Sequence, residues 1–136
     1  MGIKMIKISV CDDDEGQLTF FKQCFMEYNE KHEEKIEANF YQSVQSLLNE
    51  KKFSPDVYFL DIELQDGNGL KLAGRIRTRN PQIPIVFITS HEEFMPEAFQ
   101  VHAYQYLNEK KNAQAVENVL NQLADYFSEQ NQIFSF

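Results

Sequence analysis

The sequence predicts one α/β domain, with five parallel strands alternating with five helices that cover both faces of the sheet. Three observations predict it. Short β-branched and aromatic runs recur along the chain, stripes of apolar residues at helical spacing separate them, and the runs are apolar at successive positions, as strands buried on both faces are. With 136 residues and 43% hydrophobic content, the chain can build one full core.

The elements follow in order. MIKISVC (5–11) is a β-branched run and reads as the first strand. Leu18, Phe21, Phe25 and Tyr28 then recur every three or four residues and mark one face of the first helix. KIEANFY (35–41) alternates as a second strand, and Ser43 is placed to cap a short helix carrying Val44, Leu47 and Leu48. DVYFLD (56–61) follows Pro55 as the third strand. A third helix covers 68–79, with Leu70, Ala73 and Ile76 inward, and Asn80 and Pro81 end it. IPIVFITS (83–90) is the fourth strand. A short fourth helix is expected over 94–101, with Pro96 confined to its first turn. AYQYL (103–107) is the fifth strand, and Val116, Val119, Leu120, Leu123 and Phe127 stripe the last helix. Phe20, Phe21, Phe40, Phe59 and Phe87 are candidate core aromatics.

Composition excludes several classes. Thirteen Lys and Arg against twenty-one Asp and Glu give a formal charge of -8, so this segment is not expected to bind nucleic acid by itself. Cys11 and Cys24 show no metal or C-x-x-C spacing, which suits reduced cysteines of a cytoplasmic protein. MGIKMIKISV is too short and too interrupted by lysines for a secretory signal, and no apolar run approaches the roughly 20 residues needed to span a bilayer.

In parallel sheets covered by helices, ligands sit beyond the carboxyl ends of the strands. The first strand ends in Asp12, Asp13 and Asp14, the third in Asp61, the fourth in Thr89 and Ser90, and the fifth carries Tyr106. Carboxylates gathered on one rim repel one another unless a cation joins them, and hard oxygens with room for water suit Mg²⁺. The metal attracts a phosphoryl oxygen. An aspartate can attack phosphorus to give an aspartyl phosphate, and Asp61, alone at its strand end, suits that role. Thr89 offers a hydroxyl. A single Asp after a strand is ordinarily a turn residue or a helix cap, and the aspartate run by itself is a good N-cap for the first helix. The ordered set is what points to function.

VCDDDE, FLDIEL with NGL after it, VFITSHEEF and AYQYL together resemble a response-regulator receiver domain (CheY-like), from about Ile6 to Leu123. The wording is most similar to receivers of LytTR, AgrA-like transcription regulators. The resemblance implies a flavodoxin-like (βα)5 sheet with strand order 2-1-3-4-5, a receiver over 1–127, and a tail or the start of a linker over 128–136. It implies that Asp61 is the phosphoacceptor. Asp12, Asp13, Asp61 and the backbone carbonyl of Glu63 would hold Mg²⁺, Thr89 would bind the phosphoryl group, and Tyr106 would be the aromatic switch. A sensor histidine kinase would be the donor, and the face of the fourth helix, fifth strand and fifth helix would serve output or homodimerisation. DNA would be reached only through an output domain, and no membrane partner is implied. Such a domain is not an enzyme with an external product; it catalyses only its own phosphorylation and slow dephosphorylation.

Two departures stand out. Glu109 and Lys110 occupy the family's Lys-Pro positions, and Gln65 stands where a proline is common. Either a one-residue bulge brings Lys110 or Lys111 to the site, or the site lacks its lysine and phosphorylation couples poorly to output. Ungapped spacing from Thr89 favours the second. The competing readings are a phosphate-independent interaction module and a Mg²⁺-dependent phosphatase, the latter opposed by Asp61 and Glu63 in place of an Asp-x-Asp pair.

Overall fold

The computed structural model describes residues 5–89, 101–108 and 111–133. Five strands form one sheet: β1 Met5–Cys11, β2 Lys35–Tyr41, β3 Val57–Asp61, β4 Ile85–Thr89 and β5 Gln105–Asn108. All neighbours are parallel, in the order β2-β1-β3-β4-β5. The expected α/β class and strand order are therefore present. The third, fourth and fifth strands are trimmed or shifted by one or two residues relative to 56–61, 83–90 and 103–107. The expected helix over 94–101 falls almost wholly outside the described residues.

Helices cover both faces. α1 Glu15–Lys31 and the C-terminal helix Ala113–Ile133 share one core with Ile8, Val10, Phe59, Val86 and Ile88. α2 Val44–Leu48 and α3 Gly69–Arg79 share the other with Leu60, Ile62, Ile85 and Phe87. The alternation of β3 explains the division: Phe59 faces one layer, Tyr58 and Leu60 the other. Phe21, Phe25 and Phe59 meet edge to face or tilted, with centroids 5.8–6.0 Å apart. Phe20 and Phe40, expected as core, are only half-buried at its margin.

Helix ends follow the local sequence. Ser43 and Ser46 form a reciprocal capping box on α2. Asn68 caps α3 through Leu70 N, so the helix begins one residue later than the expected 68–79. Arg77 on α3 donates to the carbonyls of Ile83, Val101 and His102, fastening the chain before β5. The C-terminal helix runs past Phe127 to Ile133. Among the described residues, no helix is long and apolar enough to cross a membrane.

Candidate functional site

The carboxyl ends of β1, β3 and β4 form one edge. The strand register places Cys11 beside Leu60 and Asp61 beside Ile88, so Asp12, Asp61 and Thr89 emerge side by side. Asp12 and Asp61 are buried and Asp13 half-buried, and one ligand oxygen from each lies within 4.8 Å of the others. Two enclosed carboxylates beside a third are costly without a cation. Oxygen donors at this spacing fit a hard divalent ion, which keeps water and tolerates few protein ligands. The three aspartates expected on one rim thus meet there.

Each member is held by a local device. Asp12 accepts from Asp14 N at 2.9 Å, and its own N–H donates to Tyr41 O at 2.9 Å. Asp14 caps α1, accepting from Gly16 N at 2.8 Å, and so leaves the trio. Asp61 accepts from Glu63 N at 3.2 Å. Behind Asp61 the chain makes a short hairpin, Glu63–Leu64 against Gly67–Asn68. The hairpin brings Gly69 N to Ile62 O at 2.8 Å. A Cβ on Gly69 would stand 2.1 Å from the Asp61 carbonyl oxygen, so only glycine closes this turn.

The hairpin is pinned twice. Gln65 N donates to Asp13 Oδ2 at 3.0 Å. Asp66 receives Val44 N at 2.9 Å and Gln45 N at 3.1 Å, which ties it to the start of α2. These N–H donors, Val44 first, hold the Asp66 carboxyl below its ordinary pKa. The sequence reading missed both contacts; neither has a pattern, because one partner is 52 residues away and the other 22 or 21.

Cys11 registers the negative field of this edge. Burial first, then the charges of Asp66, Asp12, Asp61 and Asp13, push its thiol up to about 12. Cys24, buried on α1, is raised to about 11 mainly by burial. Both cysteines are free thiols, as their spacing suggested.

Thr89 is buried at the end of β4, opposite Asn108. Tyr106 lies opposite Phe87, half-buried against the α2–α3 layer, where burial raises its pKa. Alternation sets Tyr106 two residues back from the Thr89 level on the same face. Ser90, Glu109 and Lys110 lie outside the described residues. Lys111 is described: its backbone is left-handed at φ 52°, and its Nζ comes 3.4 Å from where a Cβ on Gly16 would stand. The second lysine of the pair therefore reaches the start of α1, at the rim that Asp14 borders.

Comparison with known proteins agrees with this geometry. The family model of the response regulator receiver domain matches residues 8–121. An uncharacterized response regulatory protein of Yersinia pestis is 30% identical over 88% of this chain and 49% of its own length. Accessory gene regulator protein A of Staphylococcus epidermidis is 34% identical over 75% of this chain and 45% of its own. The sensory transduction protein LytR of Staphylococcus haemolyticus is 30% identical over 70% and 36%. The chain spans about half or less of the length of these relatives. Among solved structures, the receiver domain protein (CheY-like) of Methanospirillum hungatei superimposes with a TM-score of 0.74 over 95% of this chain and 98% of that one, at 18% identity. The BeF3-activated DrrB receiver domain gives 0.73 over 89% and 98%, at 20% identity. With a parallel sheet in the order 2-1-3-4-5 and an acidic trio at its carboxyl edge, the chain belongs to the response regulator receiver domain family, among relatives of the LytR and AgrA type.

Proposed function

We propose that this chain is the phosphoacceptor switch of a two-component system. The observation that carries the reading is the meeting of Asp12, Asp13 and Asp61 within 4.8 Å at the carboxyl edge of the sheet. Receiver domains bind Mg²⁺ at an acidic pocket. In this reading Asp12, Asp13, Asp61 and the Glu63 carbonyl hold the ion, whose chemistry is to offset charge on a phosphoryl group. An Asp61 carboxylate oxygen attacks phosphorus in line as the bond to a histidine kinase's phosphoimidazole breaks, and the nitrogen keeps the electron pair. Asp61 suits attack because β3 and the Gly69 turn fix its backbone. Thr89 then donates its hydroxyl to the phosphoryl oxygens. Tyr106 turns inward behind it, and the state is read by population shift on the face of the fourth helix expected over 94–101, β5 and the C-terminal helix.

The same face serves a homodimer, and DNA is reached through an output domain in a longer protein, as the gene-regulator name of Accessory gene regulator protein A suggests. Cytoplasmic location follows from that role. The domain turns over its own phosphate and has no external product.

Incubation with MgCl2 and acetyl phosphate, followed by intact mass, tests the reading. One phosphoryl adduct is expected, absent from Asp61→Asn. A chain that stays unmodified favours the second reading, a phosphate-independent interaction module, for which Glu109 at the family's lysine position is the motive.

A further inference from the structure

The contact between Gln65 and Asp13 joins the acidic trio to a hairpin that reaches α2. A carboxylate has two oxygens and turns about its Cβ–Cγ bond. With Oδ2 accepting the Gln65 N–H at 3.0 Å, that rotation is fixed and Oδ1 is presented in one direction. The donor is itself held. Leu64 is buried, Leu64 pairs with Gly67, and Asp66 is clamped by Val44 N and Gln45 N. Residue 65 therefore sits between two anchors with its N–H aimed at the metal pocket, although its side chain is exposed.

We propose that the Gln65 backbone N–H positions Asp13 for the divalent ion, and that the 63–68 hairpin is a strap carrying ion occupancy from Asp13 to the start of α2. The contact exists because residue 65 is not proline, whose nitrogen has no hydrogen to give. The inference rests on the Mg²⁺ reading above.

The test uses the chain with MgCl2 alone. The chain has no tryptophan, so calorimetry reads the affinity. Gln65→Ala keeps the N–H and should bind as the parent does. Gln65→Pro removes it and should weaken Mg²⁺ binding by about tenfold, the usual cost of losing a group that orients a ligand. The backbone at residue 65 is not left-handed, since positive φ among described non-glycine residues falls only on His102 and Lys111, and Leu64 before it is extended, as a residue preceding proline prefers. Equal affinities for the two variants would overturn the proposal. A parent that binds no Mg²⁺ would overturn the metal reading and this one with it, so the two failures are distinguishable.

Should Gln65→Pro fail to fold, amide exchange at Gln65 decides. It should speed up at least tenfold in Asp13→Ala, and unchanged exchange overturns the contact. The strap is read at the Val44 and Gln45 amides. Their NMR signals should shift on Mg²⁺ addition in the parent and not in Asp66→Ala, and a parent without that shift refutes the strap.

Discussion

Asp61→Asn should make the metal-free protein more stable. The ligand oxygens of Asp12, Asp13 and Asp61 lie within 4.8 Å of one another. At an effective dielectric of about 20, two unit charges at that distance repel by about 3.5 kcal/mol. Neutralising Asp61 relieves two of the three pairs. Most of that gross gain is lost to screening at half-buried Asp13 and to the desolvation of the new amide. The asparagine keeps an oxygen for the Glu63 N–H, so that bond is not sacrificed. A net gain of about 1–2 kcal/mol is expected, or a rise of roughly 3–8 °C in Tm for a domain of this size. Urea and thermal unfolding at neutral pH with a chelator measure it. Replacing chelator by Mg²⁺ at ten times its Kd should then stabilise the parent by about 1.4 kcal/mol and the variant hardly at all. An Asp61→Asn protein no more stable than the parent in chelator would refute the claim that the trio is held together against its own repulsion.

Four other outcomes are expected. Gly69→Ala drives a Cβ to 2.1 Å from Asp61 O and 2.9 Å from its carbonyl carbon, both backbone, and should cost about 3 kcal/mol in urea unfolding. Gly74→Ala on α3, where nothing lies within 4 Å, should instead stabilise by about 0.5–1 kcal/mol. Cys11, its thiol pushed up to about 12, should resist maleimide at pH 8 until the protein unfolds, with Cys24 labelled first. Asp66 has a depressed carboxyl pKa, so its stabilisation is complete above the unfolded value near pH 4 and is lost as pH falls through the folded one. Asp66→Asn should therefore show a shallower loss of stability below about pH 4 in acid titration followed by circular dichroism.

The order of strands and helices was legible because burial leaves a period. MIKISVC reads as a strand since Ile8, Val10 and Cys11 are wholly buried, and the α1 stripe reads as a helix since Leu18, Phe21, Phe25 and Tyr28 all face inward. Ser43 was legible as a cap from its chemistry. The 63–68 hairpin was not, because arms of two residues are too short to show alternation. The continuation from Ser128 to Ile133 was missed for the opposite reason: SEQNQ carries no apolar stripe, so nothing distinguishes a solvated helical turn from a linker. Arg77 offered no signal either, since its three partners are backbone carbonyls that any sequence supplies. At the site, residue types and strand ends were enough to bring Asp12, Asp13 and Asp61 to one edge, whereas the backbone N–H groups of Asp14, Gln65 and Glu63 that they accept from carry no side-chain signal.

Three consecutive aspartates would ordinarily be read as one feature, a solvated acidic run or a generous helix cap. The hydrogen bonds divide them into three functions. Asp14 turns to Gly16 N and starts α1. Asp12 turns inward, accepts Asp14 N, and is 1% exposed. Asp13 turns across the edge to Gln65 N, in the hairpin that follows β3. A helix cap needs only one of these, and a solvated run would leave none of them fixed. Cap chemistry accounts for Asp14 and leaves Asp12 and Asp13 at the mouth of β3, beside a third carboxylate, in an arrangement that a bound divalent cation would relieve. The burial of Asp12 and the Gln65 hydrogen bond to Asp13 therefore argue for a metal site more strongly than the mere count of acids does.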